Sequence, residues 1–318
     1  MSVLLVTDAA MERHPAPGGH PERPARLAAA ASGVSDAVAR AGESLHVDRA
    51  DPAGDDELTR VHDRAYVALL RTLDARGGGW LDPDTFLGSG SLDAARVAAG
   101  ATIAAAAAVA ADRHVIGFAI VRPPGHHAAR SRAAGFCLFN NVAIAAESLR
   151  ADGAARRIAI VDWDVHHGDG TQEIYEADPD VWYGSTHQTG IYPGTGTAEQ
   201  AGVGAAHGTK LNRPLRPGSG DEAFVGTWSQ DLLPALAAFA PDAVVVSAGY
   251  DAHTSDPLAT LRVSSDGFRR VAERLGEVVG DLGLRGVTLT LEGGYDLDAL
   301  RSSTAATVEG LLSALGSR

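Results

Sequence analysis

The stretch that most constrains this chain is IAIVDWDVHHGDGTQ, residues 158–172. Residues 158–161 read as a buried strand, and a loop follows that carries Asp162, Asp164, His166, His167 and Asp169. Groups of this kind, crowded into so few residues, are costly to bury unless something pairs them. Side chains alternate along extended backbone, so Asp162, Asp164 and His166 fall on one side. Asp164 and His166 can then reach one cation together, with Asp162 behind them as a supporting partner. The apolar strand aims the loop at the carboxyl edge of a sheet, where open α/β folds place their sites.

The rest of the chain repeats that pattern. Residues 3–7 form a short strand, and the loop 14–24 holds four prolines that stiffen it. HPERPARL leads into an alanine-rich helix, where Arg26 either faces inward or forms a surface salt bridge. A strand at 44–47 and a helix at 56–75 follow, with His62 read as a packing or capping residue rather than a ligand. Asp82, Asp84 and Thr85 lie in a loop before a helix at 91–111. Residues 115–121 are a continuous apolar run, short enough for a fully buried parallel strand. It ends in RPPGHHA, whose rigid turn presents His126 and His127, a pair suited to acid–base chemistry. Gly135, in GFCLFNN, allows backbone to approach a ligand closely.

A helix begins near residue 140. Beyond the 162–172 loop, a strand at 181–185 ends in Ser185, Thr186 and His187. The glycine-rich segment IYPGTGTAEQAGVGAAHG lacks GxxxxGK[ST] and does not support a phosphate loop. Helices at 232–239 and 268–282 flank a strand at 243–247 that leads into AGYDAH, with Asp251 and His253. The last strand, 287–291, delivers EGGYD with Tyr295, and a final helix closes the chain. Strands alternate with helices without linker or repeat, which implies one domain, 1–318, built on one parallel sheet covered on both faces. Four polar loops each follow a buried strand and would meet at one sheet edge.

Composition limits the partners. A net charge of −13 and a pI near 5.3 argue against nucleic-acid binding. The single cysteine, Cys137, rules out an intrachain disulfide and suits the cytoplasm. The N-terminal VLLV run lacks a basic region before it and reads as a strand, not a signal peptide. The longest apolar run, 97–111, falls short of the roughly 20 residues a membrane span needs, so no membrane partner is expected.

Asp164, His166 and Asp251 make a three-ligand set with room for water, as a catalytic zinc requires, while one cysteine nearly excludes a structural zinc. Such an ion can polarise a carbonyl and acidify its water. The histidine pair could move protons, each imidazole oriented by a carboxylate (Asp162, Asp169). Tyr295, flanked by glycines, could donate to a developing oxyanion.

RPPGHHA, GFCLFNN, DWDVHHGDGTQ, SAGYDAH and LEGGYD, in this order, resemble the zinc-dependent histone deacetylase and acetylpolyamine amidohydrolase superfamily, in its class II-like bacterial branch. The resemblance implies the three-layer α-β-α arginase/deacetylase fold with an eight-stranded, mainly parallel sheet. It implies one Zn²⁺ on Asp164, His166 and Asp251, His127 as general base and acid, His126 as its electrostatic partner, and Tyr295 as oxyanion donor. Gly135 would offer its carbonyl to the substrate amide, and Phe136 and Tyr192 would wall an acyl-lysine tunnel. A K⁺ is implied beneath the zinc, on Asp162, Asp164, His166, Ser185 and the Thr186 carbonyl. A second potassium site is implied near Tyr175, Asp178 and Val181. Arg26 matches a position lining an internal product channel.

The expected activity is removal of acetyl groups from an amine. Leu258 stands where polyamine-selective relatives carry a gate glutamate, which favours acetyl-lysine side chains over acetylpolyamines or other small acyl amines. Two other readings stay open. A non-catalytic acyl-lysine module would require loss of His127, Tyr295 or a metal ligand, and none is missing. A dimanganese ureohydrolase could place a second ion on Asp162 and His253, but leaves RPPGHHA and EGGYD without a role.

Overall fold

The computed structural model describes residues 1–111 and 115–316. The first half contains β1 (Ser2–Val6), α1 (Ala25–Ala41), β2 (Ser44–Asp48), α2 (Asp55–Leu58), α3 (Arg64–Ala75), a small hairpin of β3 (Gly79–Trp80) and β4 (Phe86–Leu87), α4 (Ser91–Ala111), β5 (Val115–Ala119) and α5 (Asn141–Ala151). The second half contains β6 (Ile158–Asp162), α6 (Asp169–Tyr175), β7 (Val181–Gln188), β8 (Lys210–Leu215), α7 (Asp221–Thr227), α8 (Leu233–Phe239), β9 (Ala243–Ala248), α9 (Ser265–Asp281), β10 (Gly286–Leu291) and α10 (Leu297–Gly316).

Eight strands form one sheet in the order β2-β1-β5-β10-β9-β6-β7-β8, and every pairing is parallel. This is the arginase/deacetylase arrangement, parallel throughout rather than mainly so. The central strands are buried along their whole length, β6 and β10 at every residue. Alternate residues of β6 enter two different cores, Ala159 and Val161 on one face and Ile158 and Ile160 on the other. Two covered faces are why these strands read as continuous apolar runs.

On one face α1, α9 and α10 pack against each other. The α9 stripe of Phe268, Val271, Ala272, Leu275 and Val279 recurs at helical spacing, and the Ser264 side chain caps its first turn. On the other face α4 and α5 lie side by side. The apolar run 97–111 belongs to the longer α4, whose 21 residues are enough to cross a membrane by length and composition. Length therefore does not set a span aside, as the run alone suggested. In this fold most of α4 is buried against α5, β5 and β10.

The site's position follows from the strand order. β5, β10, β9 and β6 are consecutive neighbours, and they are the four strands that precede the polar loops. At about 4.8 Å between strands, all four loops emerge within a span of roughly 15 Å.

Three local expectations are corrected. The helix expected at 56–75 is two, α2 and α3, separated by a turn in which Asp63 N donates to Arg130 O. The strand expected at 181–185 continues to Gln188. β8, KLNRPL, was not read as a strand because its polar residues and Pro214 lack the apolar run. It lies at the sheet edge, where proline is tolerated.

Candidate active site

The turn after β5 is stitched to the loop after β10 by Glu292, which is fully buried. Its Oε2 accepts from Gly125 N at 2.6 Å and His126 N at 3.2 Å. His126 and His127 are therefore carried on backbone fixed by a second strand. His126 Nδ1 lies 3.1 Å from Asp162 Oδ2, and His127 Nδ1 lies 2.7 Å from Asp169 Oδ1. Tyr183 also donates to Asp162 Oδ2, at 3.0 Å. Each imidazole is thus held through Nδ1, which leaves Nε2 for chemistry.

The two histidines are driven apart in basicity. Burial opposes a charge on His126, but Asp164 and Asp162 outweigh it and raise its pKa well above the imidazole range. Burial lowers His127 to about 3, and the neighbouring His126 cation pushes the same way, against Asp169. One ring is thus a standing cation and the other a neutral base.

Asp164, His166 and Asp251 bring three ligand atoms within 4.8 Å of one another. His166 Nδ1 is 3.1 Å from both Asp164 Oδ1 and Asp251 Oδ2. The backbone aims the carboxylates, since Gly293 N donates to Asp164 Oδ2 at 2.8 Å and Val165 N to Asp251 Oδ1 at 2.9 Å. Burial opposes ionisation of Asp164, yet His126 and His166 hold its carboxyl far below the usual range. Burial and then the Asp164 charge push Asp251 upward. Two buried carboxylates that repel each other across one imidazole nitrogen fit a divalent cation, and the absence of thiolates matches an oxygen- and nitrogen-bound ion.

Glycine is required beside this cluster. A Cβ on Gly293 would overlap the carboxylate oxygens of Asp251 and Asp164. Gly293→Ala is expected to lower divalent-metal affinity about 10-fold or more, comparable to losing a partner that orients a ligand. Metal titration of the purified variant checks this; unchanged affinity would mean the carboxylates can move aside.

A cavity of about 230 Å³ opens over the cluster, lined by both histidines, His166, Gly135, Phe136, Tyr192, Leu258 and Tyr295. A larger groove of about 820 Å³ between α7, α8 and α9 shares no residue with it and holds none of these groups. Gly135 adopts φ +55°, and a Cβ there would strike the His127 ring. Phe136, at φ +70°, is held in the left-handed region although it is not glycine. Thr85 Oγ1 accepts from its N–H at 3.0 Å, and its ring stands edge-on to Tyr295 with centroids 6.0 Å apart. Tyr192 stands 5.0 Å from His127, ring centre to ring centre.

Tyr295 is positioned by residues without a motif of their own. Asp256 Oδ2 accepts from Tyr295 N at 2.7 Å, and its Oδ1 from Leu258 N at 3.0 Å, so one carboxylate sets both the phenol and the cavity mouth. Arg26 is buried, not a surface salt bridge. It donates to Gly294 O at 2.6 Å, to Glu292 O, and to Glu22 Oε1 at 3.3 Å, and its guanidinium lies 4.9 Å from the Tyr295 ring centre. Glu22 also accepts from Arg122, at 2.6 Å. The expected residues therefore meet at one cavity, and Glu22, Arg122, Asp256 and Glu292 are the supporting residues that motif reading missed.

Residues 20–311 match the model of the histone deacetylase domain. The chain belongs to the histone deacetylase family. It is 39% identical over 284 residues to histone deacetylase 10, chloroplastic, of Oryza sativa, covering 86% of this chain and 64% of that protein. It is 40% identical over 284 residues to the histone deacetylase-like amidohydrolase of Pseudomonas aeruginosa, covering 88% of this chain and 74% of the relative. The crystal structure of the HDA15 HD domain superposes with a TM-score of 0.90 at 38% identity, over 98% of this chain and 88% of that one.

The surroundings of the two places where potassium was expected differ. Beneath the triad, Asp162, Asp164, Ser185 and Thr186 are buried together, and among the described residues no lysine or arginine pairs with Asp162. Near Tyr175, Asp178 and Val181, where a second potassium was expected, Lys210 Nζ contacts the Asp178 and Val181 carbonyls. His253 stands outside the triad, accepting from Ser255 N at 3.1 Å, so it offers no second ion to a ureohydrolase site. His62 is a packing residue, as expected, bonded to Ala129 O and Asn140 N.

Proposed function

We propose that this chain, as one catalytic domain, is a zinc-dependent amidohydrolase that removes acetyl groups from lysine side chains. The observation that carries the reading is the convergence of the Asp164/His166/Asp251 set, a neutral His127 paired with Asp169, and the Tyr295 ring on one cavity. Family membership supports deacetylation, and the Pseudomonas relative is named an amidohydrolase.

Zinc on Asp164, His166 and Asp251 would polarise the amide carbonyl and lower the pKa of a water beside it. His127 takes a proton from the attacking water at Nε2 while Asp169 fixes its tautomer at Nδ1. The same Nε2 then returns that proton to the leaving nitrogen as the C–N bond breaks, and the second water proton passes from the new carboxyl group to the amine, giving acetate and an ammonium. The Tyr295 hydroxyl donates to the oxygen that becomes anionic, a contribution on the order of 3 kcal/mol. The His126 cation adds favourable charge near that oxygen. Gly135 O is the acceptor for the substrate N–H, and Phe136 and Tyr192 enclose the methylenes. A potassium ion beneath the triad, on Asp162, Asp164, His166, Ser185 and the Thr186 carbonyl, belongs to the same reading.

Leu258 decides between substrates. It lies at the cavity and is 36% exposed, offering an apolar mouth to a lysine's methylenes and no charge to a remote ammonium. Asp84 also lines the cavity; burial and Asp82 raise it to about 6, so it keeps most of its charge at neutral pH and loses it only in mild acid. The zinc-loaded protein is expected to show a kcat/KM for an acetyl-lysine peptide about tenfold or more above that for N8-acetylspermidine, and Leu258→Glu to narrow the gap. Preference for the polyamine, unimproved by the glutamate, would overturn the substrate choice. No turnover of either substrate at full zinc loading would overturn the hydrolase reading.

A further inference from the structure

Lys210 opens β8, and its side chain runs inward until it is 1% exposed. Its ammonium is surrounded by oxygens, with Val181 O at 2.6 Å, Thr209 Oγ1 at 2.7 Å and Asp178 O at 3.1 Å. The Thr209 hydroxyl gives its own proton to Ala206 O at 2.7 Å, so toward Lys210 it can only accept. Three acceptors facing one nitrogen require three N–H groups, which an ammonium has and a neutral amine lacks. The lysine is thus held as a cation by neutral oxygens, and no carboxylate oxygen touches it directly among the described residues.

Rings of carbonyl oxygens serve potassium in the same way, by replacing its hydration shell. We propose that Lys210 is a resident monovalent cation, tethered to β8, that fills the Asp178/Val181 carbonyl cage and makes an added potassium ion unnecessary there. The inference concerns a different place from the metal triad and does not depend on the hydrolase reading.

The location gives the cation a purpose. Asp178 N donates to Tyr175 O at 3.0 Å and Val181 N to Asp178 O at 3.4 Å, so these carbonyls belong to the tight connection from α6 to β7. α6 begins at Asp169, the partner of His127. Parallel strands leave such a connection with inward-facing carbonyls, which must be satisfied when buried. A free ion satisfies them only in proportion to its concentration, whereas a tethered ammonium does so in any salt. Beneath the triad, by contrast, Asp162 and Ser185 face no lysine or arginine among the described residues. The two places therefore differ in kind, one furnished with its own cation and one open to a mobile one.

The test uses the full chain, its Lys210→Ala variant and a Lys210→Met variant that keeps the stem without the charge. Melting temperatures are compared in choline, potassium and methylammonium chloride at equal ionic strength, and thallium(I) is located by anomalous diffraction. Lys210→Ala is expected to melt about 5 °C or more below the native chain in choline, the scale for removing a buried charge from its partners. Potassium or methylammonium should restore at least half of that loss, and thallium should appear between the Asp178 and Val181 carbonyls of the variant. Lys210→Met should lose stability without rescue, because its stem fills the cage. Thallium in that cage in the native protein overturns the proposal. So does a Lys210→Ala protein as stable as native in choline, or one whose loss is equal in all three salts. Should the alanine variant fail to fold, the native thallium map and the unrescued Lys210→Met protein decide: a thallium-free cage beside a destabilised methionine variant supports the resident cation, and an occupied cage or a fully stable methionine variant refutes it.

Discussion

Asp251→Ala is expected to abolish both stoichiometric zinc and hydrolysis. Asp251 comes from the loop after β9, whereas Asp164 and His166 come from the loop after β6, so it alone closes the ligand set from a second strand. Without it two donors remain, too few to hold an ion against water. The stability readout separates this from simple damage. In metal-free protein the Asp164 charge presses on Asp251, after burial the main cause that pushes its carboxyl upward. Removing Asp251 relieves that repulsion, so the metal-free variant should melt no lower than the metal-free native chain by more than the loss of the Val165 N–H and His166 partners accounts for. The rise in melting temperature on adding zinc, which mass action gives any ligand bound only by the folded state, should vanish. Full activity in rigorously metal-free native protein would remove the zinc reading altogether.

The sequence was most readable where chemistry sits on buried parallel strands. Asp162, Asp164, His126, Asp251 and Tyr295 each follow an apolar run, and a strand that must be buried on both faces can deliver its next residues only to the sheet edge. That the four strands are adjacent depends on crossovers, which no local pattern encodes; the resemblance supplied the fold, and the sheet order explains the convergence. Supporting residues were harder to see. Glu292 directly follows β10, two residues beyond the sheet level of Asp162 at the end of β6, and an acidic residue after an apolar strand is the same kind of signal. Asp256 reaches Tyr295 N and Glu22 reaches Arg122 across long stretches of chain, and their nearer partners, Leu258 N and Arg26, do not mark those distant contacts. Arg26 is a cation on a helix, ordinarily a surface residue, and the Glu22 carboxylate together with the carbonyls of Glu292 and Gly294 makes its burial favourable. Lys210 was hidden twice, in a strand without apolar pattern and in a cage made of main-chain oxygens.

His127→Ala should lose about 10²- to 10⁴-fold in kcat, the range for a positioned acid–base group. His126→Ala should lose less, because its ring bonds Asp162 and supplies charge rather than a mobile proton. The pH profile distinguishes the two roles. The active form of His127 is neutral, and burial first, then the His126 cation, depress its pKa. Activity should therefore stay level through neutrality and fall as pH drops far enough for His127 to gain a proton. Removing His126 takes away one of the three depressing influences, burial, His126 and His166, so the acidic limb should move to higher pH in His126→Ala. Asp169→Asn should lose activity nearly as severely as His127→Ala, since an amide can present its NH₂ to Nδ1 and stabilise the wrong tautomer. Profiles of kcat/KM for the native chain and the three variants, each confirmed to hold a full complement of metal, check all of this. A severe loss at His126 with only a mild one at His127 would exchange the two assignments. An acidic limb unmoved in His126→Ala would show that burial and His166 suffice to keep His127 neutral and that the paired cation acts only on the substrate.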